Sequence, residues 1–243
     1  MWIIGHRGAS GVAPENTLTA FRRAAELGAQ YIETDLQLSR DARPVAIHDD
    51  TLQRTTDGRG PVSARTLEEL RRLDAGSWFR GGSGGERFAG ERIPTVEEVL
   101  AFGREHDVGL YLEMKAPSAT GAELAVVAAV HSSGDLFRTN VISFDLGVLE
   151  KLRNIEPMLV LGYLFSKRSP DAVARAVGAG ARIVLPRADR VTPELVAEAK
   201  RNDLKVVTWT VNDPKQMKAL IDMGVDGIMT DYPDRLVALV RGG

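Results

Sequence analysis

Residues able to carry phosphoryl chemistry recur at the ends of short apolar runs. His6 and Arg7 follow "WIIG", Glu33 and Asp35 lie in "YIETDLQL", and His48 lies near the end of "PVAIHD". Glu113 and Lys115 end "GLYLEMK", and Trp209 and Asn212 fall in "KVVTWTVND". The E-x-D and E-x-K spacings turn two side chains the same way on an extended strand. Carboxylates brought together out of water repel one another and lose hydration, and one bound divalent cation compensates both costs. All-oxygen ligation by Glu33, Asp35 and Glu113 suits Mg²⁺ or Ca²⁺. The competing arrangement has Lys115 and Arg7 neutralise them as buried ion pairs. His6 and His48 titrate near neutral pH, so one can act as general base and the other as general acid. Arg7 offers a planar fork for phosphate and Lys115 a point charge. His106 and His131 lie on helix-like segments and read as solvated surface residues. Acid, base, hard cation and phosphate clamp together describe phosphoryl transfer at a diester.

Such residues need a frame that brings strand ends together. Nine apolar runs alternate with amphipathic segments such as "NTLTAFRRAAELGA", in which Asn16 or Thr17 can cap the start and Gly28 the end. Strands alternating with helices mean a parallel sheet. Only "SRDAR" separates "YIETDLQL" from "PVAIHD", too short for a crossover helix, which takes about 10 residues or more. These two runs should form an antiparallel hairpin that overshoots the rim, turns near Arg40–Arg43 and returns as Val45–Asp49. Pairing Leu38 with Pro44 puts Thr34 roughly opposite His48, close to Glu33 and Asp35. The other eight runs then make an α/β fold of the (β/α)8 TIM-barrel type. Chemistry in such barrels sits at the C-terminal strand ends.

We read residues 1–243 as a single domain. Residues 50–92 break the βα rhythm and read as a small insertion subdomain over the C-terminal face. Within it only Leu67–Leu73 looks helical, and Trp78, Phe79 and Phe88 are the large aromatics. Gly8 and Gly11 let the first βα loop turn tightly where a side chain would obstruct phosphate.

Composition narrows the function classes. The chain has 243 residues and no cysteine, which excludes thiol catalysis, disulfides and cysteine-based zinc sites. A net charge of -2 and a pI near 6.1 favour neither nucleic acid nor an anionic membrane surface. No apolar run reaches the ~18 residues of a membrane span. The opening "MWIIGHRG" has no basic region or small-residue cleavage site. The expectation is a soluble cytoplasmic protein with a small-molecule substrate, no nucleic-acid partner and no stable membrane association. A homodimer is compatible with the exposed helices of a barrel.

The ordered set "HRG" with "PENT", "IETD" with "IHDD", "LEMK", and "WTVND" with "GVDGIMTDYP" resembles the glycerophosphodiester phosphodiesterase family over nearly the whole chain. The match includes the "LxRTTDG" opening of the insertion. By that resemblance His6 and His48 are the acid–base pair, and Glu33, Asp35 and Glu113 hold the divalent ion. Arg7, Glu15 and Lys115 surround phosphate and metal, Trp209 lines the substrate pocket, and the insertion covers part of the mouth. "LEMK" departs from a pattern with isoleucine before the lysine, and Met114 should point into the barrel wall.

The implied reaction is hydrolysis of glycerophosphodiesters, such as glycerophosphocholine or glycerophosphoethanolamine, to glycerol 3-phosphate and an alcohol. The alternative is a phospholipase of the same barrel type acting on lysophospholipids or phosphoinositides. It calls for an exposed apolar rim, of which Trp78, Phe79 and Phe88 are a small version. A non-catalytic phosphate-binding barrel would have lost an acid–base or metal residue, and all are present.

Overall fold

The nine apolar runs all become strands in the computed structural model, which describes residues 1–81, 88–115 and 121–242. In chain order the elements are β1 (Trp2–Gly5), α1 (Leu18–Glu26), β2 (Tyr31–Leu38), β3 (Pro44–Ala46), α2 (Leu67–Leu70) and α3 (Val96–Glu105). Next come β4 (Gly109–Met114), α4 (Ala122–Ser133), β5 (Thr139–Ser143), α5 (Leu146–Ile155), β6 (Val160–Phe165) and α6 (Ala172–Gly178). The chain ends with β7 (Ile183–Pro186), α7 (Pro193–Arg201), β8 (Lys205–Thr208), α8 (Pro214–Asp222), β9 (Gly227–Thr230) and α9 (Pro233–Arg241). Every strand but β3 lies parallel to its neighbours, and a β1–β2 pairing closes the sheet into an eight-stranded barrel.

The hairpin register is Leu38 opposite Pro44, the pairing adopted above, continuing through Gln37–Val45 and Leu36–Ala46. The returning strand is shorter than expected and ends at Ala46. Ile47 N–H still donates to the Asp35 carbonyl at 3.0 Å, and the Gln37 side-chain amide donates to the His48 carbonyl at 3.2 Å. His48 is therefore tied to the end of β2 although it has left the ladder.

Alternation along the strands sorts their side chains into two cores. Ile4, Tyr111, Ile142, Leu164, Leu185, Val207 and Met229 fill the barrel interior. Ile3, Ile32, Leu110, Leu112 and Val206 face the helices, whose buried stripes include Phe21, Val99, Leu149 and Met217. Met114 belongs to this outer layer, as anticipated.

The insertion is anchored rather than loosely draped. Leu52, Val62, Leu70, Ala75 and Ile93 make a small core with Val45 and Ile47. The helical part is one turn shorter than the sequence suggests: α2 stops at Leu70, started by a Thr66–Glu69 capping box. Phe79 and Phe88 pack edge to face and lie against Ala13 and Ala20, while Trp78 packs on Phe79 and its Nε1–H donates to the Ala75 carbonyl. The aromatics thus join a packed cluster rather than a free rim. The glycine-rich stretch 82–87 of the insertion lies outside the described residues.

The first βα loop needs its glycines for packing as well as for the tight turn expected. Gly8 has φ +84°, and a Cβ there would lie 2.6 Å from the Ala20 backbone. A Cβ at Gly11 would strike the Tyr232 ring. Gly60 shares the left-handed conformation at φ +88° but has nothing within 4 Å. We expect Gly60→Ala to lose about 1 kcal/mol, the left-handed penalty alone. Gly8→Ala should lose about 2–4 kcal/mol because overpacking adds to it. Urea midpoints check this, and equal losses would refute the close-approach argument.

Candidate active site

Strand parity places the candidate side chains. Counting in twos from interior residues leads from Ile4 to His6, from Tyr31 through Glu33 to Asp35, and from Tyr111 through Glu113 to Lys115. The same step leads from Val207 to Trp209 and from Met229 to Asp231. The barrel therefore delivers these residues to one mouth, with Asp35 and Glu113 directly paired across β2 and β4.

Glu33, Asp35 and Glu113 are buried and offer ligand oxygens that all lie within 4.8 Å of one another. Their compensation is uneven. Lys115 Nζ lies 2.5 Å from Asp35 Oδ1 and 2.5 Å from Glu113 Oε1. Arg7 Nε lies 3.1 Å from Asp35 Oδ2, close enough for an ion pair but not aligned for a hydrogen bond. Asn16 Nδ2 also donates to Asp35 Oδ2, at 2.9 Å. Burial works against ionising Asp35, but Lys115 and Arg7 overcome it and hold its carboxyl well below the usual range. Glu33 receives one hydrogen bond, from the Arg7 backbone N–H at 2.8 Å. Burial, and then the Asp35 charge, push Glu33 up to about 8. Burial and Asp35 also raise Glu113, against the pull of Lys115. This donor set fits a hard divalent cation: the ligands are all oxygens, and the carboxylates outnumber the cations touching them.

The two histidines have the same build. His6 Nδ1 lies 2.7 Å from Asp231 Oδ1 and His48 Nδ1 lies 2.6 Å from Asp49 Oδ1. A carboxylate on Nδ1 selects the tautomer and leaves Nε2 for reaction. Asp231 is itself held by Ser10 Oγ–H at 2.8 Å and Asn212 Nδ2–H at 2.5 Å. Their environments differ. Burial lowers the His6 pKa, but the Asp231 hydrogen bond and the Glu33 charge outweigh it and the net shift is upward. For His48, burial with Lys115 and Arg7 outweighs Asp35 and Asp49, and the net shift is downward.

Glu15 sits between two arginines, taking Arg7 Nη1–H at 2.8 Å and both terminal nitrogens of Arg54. Trp209 donates from Nε1 to the Leu185 carbonyl at 2.8 Å and packs edge to face on Phe144, leaving an aromatic wall at the rim. Thr210 Oγ1 lies 3.4 Å from His6 Nε2. His106 is exposed and stacks on Phe102, and His131, also exposed, pairs with Glu156; both are remote from the mouth.

Sequence reasoning passed over Asn16, Asp49, Arg54 and Asp231. Thr17 proves to be the α1 cap, which frees Asn16 to accept from Thr34 Oγ1 at 2.7 Å while it holds Asp35. Arg7 and Asn16 have φ 55° and 57°, left-handed values uncommon for such residues and frequent at functional sites. Asp49 and Asp231 were in view, in "IHDD" and "GIMTDYP", directly after strand-end positions.

The model of the glycerophosphoryl diester phosphodiesterase family matches residues 6–235. A glycerophosphodiester phosphodiesterase of Caldanaerobacter subterraneus subsp. tengcongensis is 40% identical over 99% of this chain and 98% of its own length. One from Bacillus subtilis is 32% identical over 98% of this chain and 86% of its own. Among solved structures, an Oleispira antarctica phosphodiesterase in complex with the product sn-glycerol-3-phosphate superimposes with a TM-score of 0.88 at 30% identity. That similarity covers 99% of this chain and 97% of the other. Among the described residues no helix is long and apolar enough to cross a membrane.

The raised Glu33 has a stability consequence. Its folded form holds a proton that its unfolded form, at the ordinary value of 4.5, has released. Stability should therefore fall as pH rises from 4.5 to about 8 in chelator. Mg²⁺ or Ca²⁺ should raise the melting temperature more at pH 8 than at pH 6.5. Glu33→Gln should melt roughly 3–6 °C higher than the parent in chelator at pH 8, from about 1–2 kcal/mol, and lose the response to cation. Differential scanning calorimetry tests this; a pH-independent melt with no cation effect would rule the reading out.

Proposed function

The chain belongs to the glycerophosphoryl diester phosphodiesterase family, and on that footing we propose that it hydrolyses water-soluble glycerophosphodiesters by histidine acid–base catalysis with one divalent cation, Mg²⁺ or Ca²⁺. The substrates are diesters such as glycerophosphocholine or glycerophosphoethanolamine, and the products are sn-glycerol 3-phosphate and the free alcohol. The observation that carries the reading is the pair of carboxylate-anchored histidines at a mouth already holding Glu33, Asp35, Glu113, Arg7 and Lys115.

When bound by Glu33, Asp35 and Glu113, a divalent cation supplies a fixed positive charge to the phosphate oxygens. Arg7, oriented by Glu15, adds a planar donor fork at the same phosphate. His48 is the base: its lowered pKa keeps Nε2 free to take the proton of the attacking hydroxyl, from water or from the glycerol 2-position. His6 is the acid: its raised pKa keeps a proton on Nε2 for the departing alkoxide. One P–O bond forms as the bond to the alcohol breaks, and the proton removed at His48 balances the one given by His6; where the 2-hydroxyl attacks, water then opens the cyclic phosphate at its P–O2 bond, giving its proton to His6 while His48 returns one to the 2-oxygen. Trp209 and Phe144 line the rim where an organic substituent can lie. The packing of Phe79 and Phe88 against Ala13 and Ala20 favours a soluble diester over a lysolipid.

A release assay over a panel of diesters and micellar lysolipids tests this, with each metal added back after chelation. Chelation should abolish turnover, and His6→Ala and His48→Ala should each lower kcat by about 10²–10⁴-fold. Turnover surviving both chelation and His6→Ala would sink the mechanism. The pH profile of kcat/KM should rise through a His48 pKa below 6.5 and fall through a His6 pKa above it. Asp231→Asn takes the negative charge from the hydrogen-bond partner that raises His6, so the falling limb should move to lower pH while the rising limb stays. An unmoved falling limb would reverse the assignment of roles.

A further inference from the structure

Arg54 touches none of Glu33, Asp35 and Glu113, yet both edges of its guanidinium are used. Nε–H and Nη2–H donate to Asp49 at 2.7 and 2.9 Å, and Nη1–H and Nη2–H donate to Glu15 at 2.7 and 2.8 Å. Asp49 then holds His48 Nδ1 at 2.6 Å, and Glu15 holds Arg7 Nη1 at 2.8 Å. One rigid plane thus joins the group that receives a proton to the group that faces phosphate. We infer that Arg54 is a positioning residue for the reaction: through Asp49 and Glu15 it fixes His48 and Arg7 relative to each other, which makes the insertion a member of the catalytic apparatus and not only its cover.

An exposed ion pair is ordinarily worth little. Here the geometry is bidentate to two carboxylates that are 12% and 25% exposed, and the backbone behind it is fixed. Leu52 is buried in the core of the insertion, and Thr56 Oγ1–H donates to the Leu52 carbonyl at 2.7 Å. A lysine at 54 would keep the charge but present no fork, so it could not bridge both carboxylates in one plane.

The inference rests on the proton-transfer role proposed for His48. Steady-state kinetics on glycerophosphocholine should show kcat lowered by about 10–10²-fold and KM raised severalfold in both Arg54→Met and Arg54→Lys. Affinity for Mg²⁺ or Ca²⁺, titrated without substrate, should stay within about twofold, because Arg54 does not contact the carboxylates that would hold the ion. Asp49→Asn should cost much less in the Arg54→Met background than alone, since both changes break one linkage. The downfield proton resonance of His48 Nδ1–H should shift or broaden in Arg54→Met. Arg54→Lys carries the test if the methionine variant does not fold. Parental kcat and KM in Arg54→Lys, or Asp49 and Arg54 losses that multiply independently, would overturn the inference. His48→Ala separates the two readings: if it is active, the proton-transfer role fails; if it is inactive while Arg54→Lys is unaffected, only the positioning role fails.

Discussion

Three carboxylates confined to one low-dielectric mouth set the terms for everything around them. Mutual repulsion and lost hydration both act against ionisation. The protein answers unevenly. Asp35 receives Lys115, Arg7 and Asn16, Glu113 receives Lys115, and Glu33 receives one backbone N–H. The net effect is a carboxylate held ionised beside two that resist ionisation. That is an unfavourable arrangement for a folded protein alone and a favourable one for a protein that binds a hard cation.

The same charges differentiate two histidines of identical construction. Each presents Nε2 and ties Nδ1 to a carboxylate. His6 feels Glu33 among its raising influences, whereas His48 has Lys115 and Arg7 among those that lower it. Opposite protonation preferences therefore arise from position around the carboxylate cluster, without any special chemistry in either ring.

Much of this was legible in the sequence because it depends on periods of two and on chain length. The hairpin followed from "SRDAR" being too short to cross over, and the pairing of Leu38 with Pro44 adopted for it is the one the fold makes. The inward parity of Glu33, Asp35, Glu113 and Lys115 came from their spacing. What stayed hidden was contact across loops. His6 and Asp231 are 225 residues apart, and nothing local marks them as partners. Asn16 was masked by a competing use of the same residue type, since asparagine before a helix reads as a cap. For Gly8 and Gly11 the need for a small residue was readable, but the packing behind it was not: the crowding comes from Ala20 and Tyr232, which only the folded chain brings near. The packing of the insertion's aromatics was hidden for a related reason. Trp78, Phe79 and Phe88 can pack on one another, and composition alone does not show whether they do.

The division of labour between strands and loops accounts for the architecture as a whole. Groups that would meet the cation or exchange protons sit on strands or immediately after them, where pleat and register fix direction. The groups that orient them come from loops: Ser10, Glu15 and Asn16 before α1, Asp49 and Arg54 after β3, Asn212 after β8 and Asp231 after β9. A strand end sets where a side chain starts but not its final rotamer, and a misplacement of about an ångström can cost two orders of magnitude in rate. Loops that close over the barrel mouth supply that last constraint. Their own rigidity comes from close packing at Gly8 and Gly11 and from the hydrophobic core beneath the insertion. The insertion therefore needs a core of its own to hold Arg54 in place, and the barrel in turn depends on that second core for the geometry of its mouth.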